Sequence, residues 1–426
     1  MKRIPKRVTL LAVFTLLSAA CSSSEPEPTG SAAAPAPAAS GAPARENADL
    51  VIWTSDVASR AVRPIAEDFG RRNGITVAVQ VVAADLAATA ITANAAGNGP
   101  DILTLPNDFL GGALQNGAVT PLSLRAEDLT AYQRSAVASV SRDGQVWALP
   151  YGMENLVLYR NKDAAPDPPA TVEELVSSGQ AAVRQGRVKR ALSLPVGQEG
   201  DAYHMHPFFT SAGGSLFATG AGGRYDAGKV GIGSPESIAA ARKIAALGES
   251  GSKVLSRSVD GANAIAQFTD GAAAYLISGP WALADIRKSG VPYDITPIPP
   301  FAGGRPAAPF LGVQAFWTMS NAKNPAFAEE FVTRTMNTPE AMTAMYEQDP
   351  RPPVRTDVLS AVSAKDPDMG KLAAAARNAT LLPDFPFMAG VWPPLGQAYA
   401  AVVGGADPAA TMTRTGRTIE SVVRAR

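Results

Sequence analysis

From about Asp49 onward, short apolar runs rich in β-branched residues alternate with segments of helical periodicity. The first three runs are LVIWTS (50–55), ITVAVQVV (75–82) and DILTLP (101–106). The segments between them space their apolar residues as helices do and end in glycine, a common helix terminator. Strands and helices that alternate at this spacing form βαβ units around a largely parallel sheet. The sequence therefore predicts an α/β protein.

The length of the α/β part predicts more than one structural unit. The chain has 426 residues, and a folded part that begins near Asp49 is long enough to favour two lobes over one. In open α/β sheets, ligands bind beyond the carboxyl ends of the strands. Three turns occupy such positions: Ser55–Asp56, Pro106–Asp108 and Gly279–Trp281. We expect ligand contacts at these turns.

The N-terminus resembles an export signal. Four basic residues precede the apolar run VTLLAVFTLL (8–17), which is too short to span a bilayer, and small residues lead to Cys21. This pattern predicts a signal peptide over 1–20. Cys21 is the only cysteine of the chain, and its position resembles the acylated cysteine of bacterial lipoproteins. The alternative is an ordinary signal peptide followed by an incidental cysteine.

The segment 21–48 is composed almost entirely of Ser, Ala, Pro, Gly and Glu. Such a composition buries too little apolar surface to offset the entropy of ordering, so we predict a disordered, lipid-anchored tether. Because the single cysteine would carry the lipid, no disulfide is expected, and stability must come from core burial.

The charge balance argues against nucleic acid as a partner. The chain has 38 Lys and Arg and 38 Asp and Glu residues, without a basic stripe interleaved with aromatic residues. We expect no cofactor, and a monomer is the default expectation for the oligomeric state.

Several stretches, in chain order, resemble bacterial extracellular solute-binding proteins of ABC importers, of the maltose/maltodextrin-binding type. No single stretch is decisive, but the series covers nearly all of the chain from residue 50 onward. The stretches are LVIWTS, GPDILTLPNDFLGGALQNGAVTPL, GQVWALPYGMENLVLYRNKD, PDPPATVEEL, GGRYDAGKVGI, ISGPWALADI, PFLGVQAF and LPDFPFMAGVW.

The resemblance implies a two-lobed, periplasmic-binding-protein-like fold with connections that cross between the lobes and a ligand cleft between them. The first lobe would comprise 49–152 and 309–365, and the second 153–308 and 366–426. The implied function is that of a lipid-anchored, non-enzymatic receptor on the extracellular side of the cytoplasmic membrane. It would bind a maltodextrin-like or other oligosaccharide and deliver it to a permease and its ATPase.

A sugar presents hydroxyl groups at its rim and C–H groups on its faces, so its site needs hydrogen-bonding groups and flat aromatic platforms. The resemblance places platforms at Trp281, Trp392 and Tyr203. For Trp281, the alternative is a core tryptophan that packs between the lobes. Its position immediately after the Gly279–Pro280 turn argues against complete burial.

Ionised carboxylates accept hydrogen bonds from two sugar hydroxyls at once. The resemblance places ligand carboxylates at Glu154, Asp108 and Asp201, and a polar contact at Asp56. Each has a structural alternative: a salt-bridged surface residue for Glu154, and a helix N-cap for Asp108 and for the Ser55–Asp56 pair. In the family, the acid at the position of Asp201 is usually Glu.

The sequence departs from the maltose type at the first lobe. Leu105 stands where a tryptophan platform is expected, Phe109 where an arginine is expected, and Val57 lies in an apolar stretch that replaces a lysine. These departures predict a shorter, less polar pocket that prefers a di- or trisaccharide and gains little affinity from further rings.

Three other hypotheses remain open at this point. If HMH (204–206) forms a strand, its two histidines share one face and could contribute to a metal site, but a useful site needs three or four ligands and these are the only histidines. A secreted glycoside hydrolase would need two apposed carboxylates, and no pair is evident. A receptor for a cationic solute would combine aromatic residues with acids.

Overall fold

The computed structural model describes residues 44–82, 85–219 and 225–425. The predicted signal peptide, Cys21 and most of the predicted tether lie outside these residues. The last part of the predicted tether does not: Arg45 forms a buried ion pair with Asp101, with 2.7 Å between Nη2 and Oδ2. The segment 44–48 is therefore held on the folded part.

The described residues form strands that we number in chain order. They are β1 (Leu50–Thr54), β2 (Val77–Val81), β3 (Ile102–Pro106), β4 (Ser141–Arg142), β5 (Gln145–Val146), β6 (Ala148–Glu154), β7 (Val157–Asn161), β8 (Arg190–Ser193), β9 (Phe217–Thr219), β10 (Tyr225–Val230), β11 (Ala273–Ser278), β12 (Tyr293–Thr296), β13 (Phe310–Thr318) and β14 (Thr380–Leu381).

The α-helices of the described residues are numbered in the same way. They are α1 (Asp56–Asn73), α2 (Leu86–Ala95), α3 (Phe109–Gln115), α4 (Arg134–Ser139), α5 (Val172–Arg184), α6 (Ala202–Ser211), α7 (Pro235–Leu247), α8 (Ala264–Thr269), α9 (Leu283–Ser289), α10 (Pro325–Glu330), α11 (Pro339–Gln348), α12 (Thr356–Lys365), α13 (Pro367–Ala375), α14 (Trp392–Val403) and α15 (Pro408–Arg424).

Two sheets organise the fold. The first has the order β14–β13–β3–β1–β2, with β6 also paired to β13, and the second has the order β12–β7–β11–β8. We call each sheet with its helices the first and the second lobe. Strand β1 pairs in parallel with β2 and β3, as the βαβ pattern predicts. The chain passes from the first sheet to the second between β6 and β7, and returns between β12 and β13.

Local signals explain where the helices begin and end. The Ser55 side chain accepts a hydrogen bond from the N–H of Ala58 at the start of α1, and Gly74 ends α1 with a φ of 68°. Thr171 caps α5 by accepting from the N–H of Glu174. These are sequence-local interactions, which is why the helix boundaries could be predicted.

Burial on both faces of the sheets accounts for the continuous apolar runs. All five residues of β1 are buried, and one cluster of buried apolar side chains surrounds the first sheet. The same cluster continues into α8 and α9 through Phe268, Leu283 and Ile286. A second cluster fills the rest of the second lobe. The two lobes thus share one cluster of apolar side chains.

The segment HMH does not form a strand, because it lies within α6, whose N-cap is Asp201. The boundaries assigned to the two lobes stay a prediction. Within the described residues, no helix is both long enough and apolar enough to cross a membrane.

Candidate ligand-binding site

A cleft of about 710 Å³ lies between the lobes. Side chains from both lobes line it, and they include six of the seven residues predicted for the ligand site. The lining residues are Asp108, Glu154, Glu199, Gly200, Asp201, Ala202, Tyr203, Trp281, Leu382, Trp392, Pro393 and Gln397. Residues far apart in the chain therefore meet at one place.

Trp281 follows β11 directly, in a short 3-10 turn, Pro280–Ala282, that leads into α9. Its relative exposure of 36% is high for a tryptophan. The indole ring folds back over Gly279, where any Cβ would collide with it. The Gly-Pro turn therefore directs the ring into the cleft rather than into the core.

The aromatic rings of the cleft form a group supported by Phe310, the first residue of β13. Tyr203 lies between Trp281 and the buried Phe310, with centroid distances of 6.4 Å and 6.2 Å. Trp392 meets Phe310 edge-on at 5.5 Å. Behind them, the His206 ring stacks on Phe310 at 3.8 Å. Because Phe310 contacts both Tyr203 and Trp392, it fixes the spacing of two of the predicted platforms.

Asp108 reaches the cleft from the turn between β3 and α3. It makes no side-chain cap hydrogen bond to α3, so the N-cap explanation does not account for it. The pKa of Asp108 is raised to about 6, mainly by burial and also by the charge of Asp384, while hydrogen bonds from the N–H groups of Asp108 and Phe109 oppose the rise. At neutral pH this carboxylate is a desolvated hydrogen-bond acceptor.

Glu154 ends β6, next to the crossing into the second lobe. Its carboxylate forms an ion pair with Arg351, and Arg351 also binds Asp349, with 2.8 Å between Nε and Oδ2. All three side chains are at least 83% buried, since their exposed fractions are 14%, 17% and 9%. Sequence reasoning missed Arg351, because nothing in its neighbourhood, QDPRPPVR, marks it as a partner of Glu154.

Asp201 serves as the N-cap of α6. Its carboxylate accepts from the N–H of His204 at 2.8 Å and contacts the His204 Nδ1 atom at 2.7 Å. Two residues earlier, Glu199 is exposed and lines the cleft. We did not predict Glu199, although the usual glutamate of the resembled family was a signal to inspect both acids near Gly200.

A close backbone contact positions this acidic loop. Gly200 has a φ of 89°, which glycine adopts most readily, and a Cβ there would collide with the carbonyl oxygen of Gly396 in α14. The contact brings the loop that carries Glu199 and Asp201 against the helix that begins with Trp392. Two predicted parts of the site are thus joined by glycine packing.

Asp56 is the predicted site residue that the structure does not bring to the cleft. It lies in the first turn of α1, and its carboxylate forms an exposed ion pair with Arg60 at 2.7 Å. Neither Leu105 nor Phe109 is among the lining residues. Phe109 is buried and meets Trp317 edge-on at 5.4 Å, while Leu105 packs against the apolar cluster of the first lobe.

The histidines do not form a metal site. His206 is buried, and burial lowers its pKa to about 3, so its ring is neutral. His204 is engaged by Asp201. In the part of the chain that the structure describes, no group of three or more His, Cys, Asp or Glu side chains could hold a metal ion.

Comparison with known proteins decides the family. A family model described as bacterial extracellular solute-binding protein matches residues 64–371. The chain belongs to this family. Proteins of this family bind solutes, so this member is a binding protein and not an enzyme, and the hydrolase hypothesis is set aside.

Named relatives of this solute-binding protein come from several organisms. A galactooligosaccharide-binding protein of Bacillus subtilis is 25% identical, with 98% of this chain and 96% of that protein covered. A maltooligosaccharide ABC transporter solute-binding lipoprotein of Streptococcus pneumoniae is 26% identical, with 75% of each chain covered.

The fold of this solute-binding protein also matches a solved structure. A maltotriose-binding protein of Thermus thermophilus, bound with maltotriose, superposes with a TM-score of 0.77 at 27% identity. The match covers 87% of this chain and 99% of that chain. The predicted two-lobed, periplasmic-binding-protein-like fold is confirmed.

Proposed function

We propose that this protein is a lipid-anchored extracellular receptor that binds an oligosaccharide in the interlobe cleft and delivers it to an ABC importer. Its immediate partners are a permease and the ATPase of that importer. The observation that carries the proposal is the composition of the cleft, where aromatic rings and carboxylates face the same space of about 710 Å³.

This composition matches the two kinds of surface on a sugar ring. Trp281, Tyr203 and Trp392 offer rigid apolar area to the C–H faces, at little cost in conformational entropy. Asp108, Glu154 and Asp201, together with Glu199, offer acceptors to the hydroxyl groups at the rim. These residues are the proposed ligand-binding set. Asp56 is left out because it does not line the cleft.

The printed functions of the relatives support an oligosaccharide but divide on its kind. The Bacillus relative is named for galactooligosaccharides, whereas the Streptococcus relative is named for maltooligosaccharides. The first relative covers more of the chain, but the two are almost equally identical to it, at 25% and 26%, so neither class of sugar is decided. A test must therefore include both linkage classes.

Calorimetric titration with matched length series tests the proposal. One series is maltose, maltotriose and longer maltodextrins, and the other is galactooligosaccharides of two to four units, with trehalose and sucrose as further disaccharides. We expect binding to at least one series, with affinity that levels off at two or three rings. Levelling is expected because the cleft presents three platforms on a single lobe. No binding to any sugar would overturn the proposal, and affinity that climbs steadily with length would overturn the short-ligand expectation.

Anchoring at Cys21 is tested separately, since Cys21 lies outside the described residues. We expect the unaltered protein to fractionate with membranes and the Cys21→Ser variant to be released in soluble form, because the acyl chains are lost with the thiol. Both proteins should bind sugar equally, which serves as the control for folding. Equal release of the two proteins would contradict lipidation.

A further inference from the structure

The charge of the cleft is one-sided. Four carboxylates line it, and the described lining residues include neither lysine nor arginine. We infer that the bound oligosaccharide carries a positive charge, in the form of an amino sugar whose ammonium group lies between Asp108 and Glu199. This inference rests on the proposed function, because it specifies the chemistry of the same ligand in the same cleft.

Two of the four carboxylates already have partners within the protein. Glu154 pairs with Arg351, and Asp201 is held by His204. Before a ligand arrives, Glu154 therefore has a cation beside it and Asp201 has a side-chain contact to His204. They are suited to accept hydrogen bonds from neutral hydroxyl groups, as in other sugar sites.

The other two carboxylates, Asp108 and Glu199, form no ion pair within the described chain. Asp384 is paired with Arg142, and the charge of Asp384 raises the pKa of Asp108 rather than neutralising its carboxylate. Asp108 comes from the first lobe and Glu199 from the second. An ammonium group in the cleft would thus meet one unpaired carboxylate from each lobe.

A third group is available to the same ammonium. The Tyr203 hydroxyl oxygen is buried and has no hydrogen-bond partner in the protein. Tyr203 lines the same cleft as Asp108 and Asp201; burial raises the pKa of its phenol, and the charges of these two acids raise it further. A neutral phenol oxygen can accept a hydrogen bond from an ammonium, and the adjacent Trp281 ring favours a cation over its face.

A neutral sugar and an amino sugar differ in what they offer these two carboxylates. A neutral sugar that displaces water from Asp108 and Glu199 removes their solvation without supplying an opposite charge, and such burial is unfavourable. A sugar hydroxyl also makes a charge-assisted hydrogen bond to a carboxylate, so the difference lies in the charge: an ammonium supplies three donors and an opposite charge, whose attraction strengthens as water is excluded. The cleft therefore selects for the amine.

Matched sugar pairs test this inference. In each pair, amines replace hydroxyls: one amine in trehalosamine against trehalose, and two in the glucosamine disaccharide chitobiose against cellobiose. In at least one pair, we expect the amine to bind about tenfold tighter at low ionic strength. The preference should shrink as salt is added, because salt screens the charges at the mouth of the cleft.

Two isosteric variants assign the effect to the named residues. Glu199→Gln and Asp108→Asn should each reduce the ratio of amine to neutral affinity by about fivefold or more, whereas Asp56→Asn, the same change of charge outside the cleft, should leave the ratio unaltered. Neutral sugars that bind as tightly as their amines, at every salt concentration, would overturn this inference and leave the oligosaccharide receptor intact. Absence of binding to any sugar would overturn both.

Discussion

Replacing Arg351 by alanine is expected to lower the free energy of unfolding by about 3 kcal/mol, because it leaves two largely buried carboxylates without their cation. Arg351 pairs with Glu154 and with Asp349, and the exposed fractions of these acids are only 14% and 9%. Both acids must then stay desolvated and unpaired, or take up protons. Urea unfolding, followed by far-ultraviolet circular dichroism and by tryptophan fluorescence, measures the loss.

The Asp56–Arg60 pair provides the matched control. Both of its side chains are exposed, at 68% and 60%, and exposed ion pairs contribute about 0–1 kcal/mol. Arg60→Ala should therefore shift the unfolding midpoint only slightly. If Arg351→Ala cost no more than Arg60→Ala, the buried pair would not stabilise the crossing between the lobes.

The position of this ion pair links stability to binding. Glu154 is the last residue of β6, immediately before the chain enters the second lobe, and it also lines the cleft. Arg351 follows α11 and approaches β6 at Gly152, where an added Cβ would touch the arginine side chain. The cation thus fixes a ligand-lining carboxylate at the point where the lobes are connected.

Much of the fold could be predicted because its signals are local. The strands β1, β2 and β3 and the helices between them follow from apolar periodicity, an N-cap at Ser55 and a terminal glycine at Gly74. The metal hypothesis for HMH required a strand, but the segment lies in α6; alternation over three residues is too short to set a period. The cap at Asp201, which accepts from the N–H of His204, is the local signal that favours the helix.

The candidate site could be predicted in part. Trp281 was found because family resemblance and turn position agreed, and Tyr203 was found from the resemblance alone. The partners that orient the site could not be found, because Arg351 and Phe310 reach Glu154 and Tyr203 only through the folded chain. Asp56 shows the opposite case: its position after a strand is right for a site, but α1 turns its side chain to solvent, where it pairs with Arg60.

A buried acid illustrates why a motif need not mark a site. Asp101, in the stretch GPDI that contributes to the family resemblance, has an exposed side-chain fraction of 0%. Its Oδ2 atom accepts from the N–H of Val51 and from Arg45, and its Oδ1 atom accepts from the N–H of Lys323. This carboxylate joins three separate segments of the first lobe, so its role is structural.

Removing the Trp281 ring is expected to weaken sugar binding by about 1–3 kcal/mol, or roughly 5- to 150-fold, the scale of losing a central aromatic contact. The ring is 36% exposed and tilts over Tyr203 at 6.4 Å, so a bound ligand would cover area that now faces the cleft. Trp281→Ala should fold with little loss of stability, because the ring contributes little to either apolar cluster. Calorimetry with the best ligand of the panel measures the effect.

Variants of the neighbouring rings separate a platform from a core tryptophan. Trp281→Phe retains part of the flat area and should recover part of the affinity, whereas Trp392→Ala should weaken binding without affecting Trp281. Trp317→Ala removes a ring that is fully buried and should instead unfold the first lobe. A Trp281→Ala protein that binds normally would contradict the platform role. The role would also be contradicted if Trp281→Ala lost as much stability as Trp317→Ala, and Trp281→Phe kept both its stability and its full affinity. Graded loss from tryptophan to phenylalanine to alanine, at constant stability, is the result expected of a ring that contacts the ligand rather than the core.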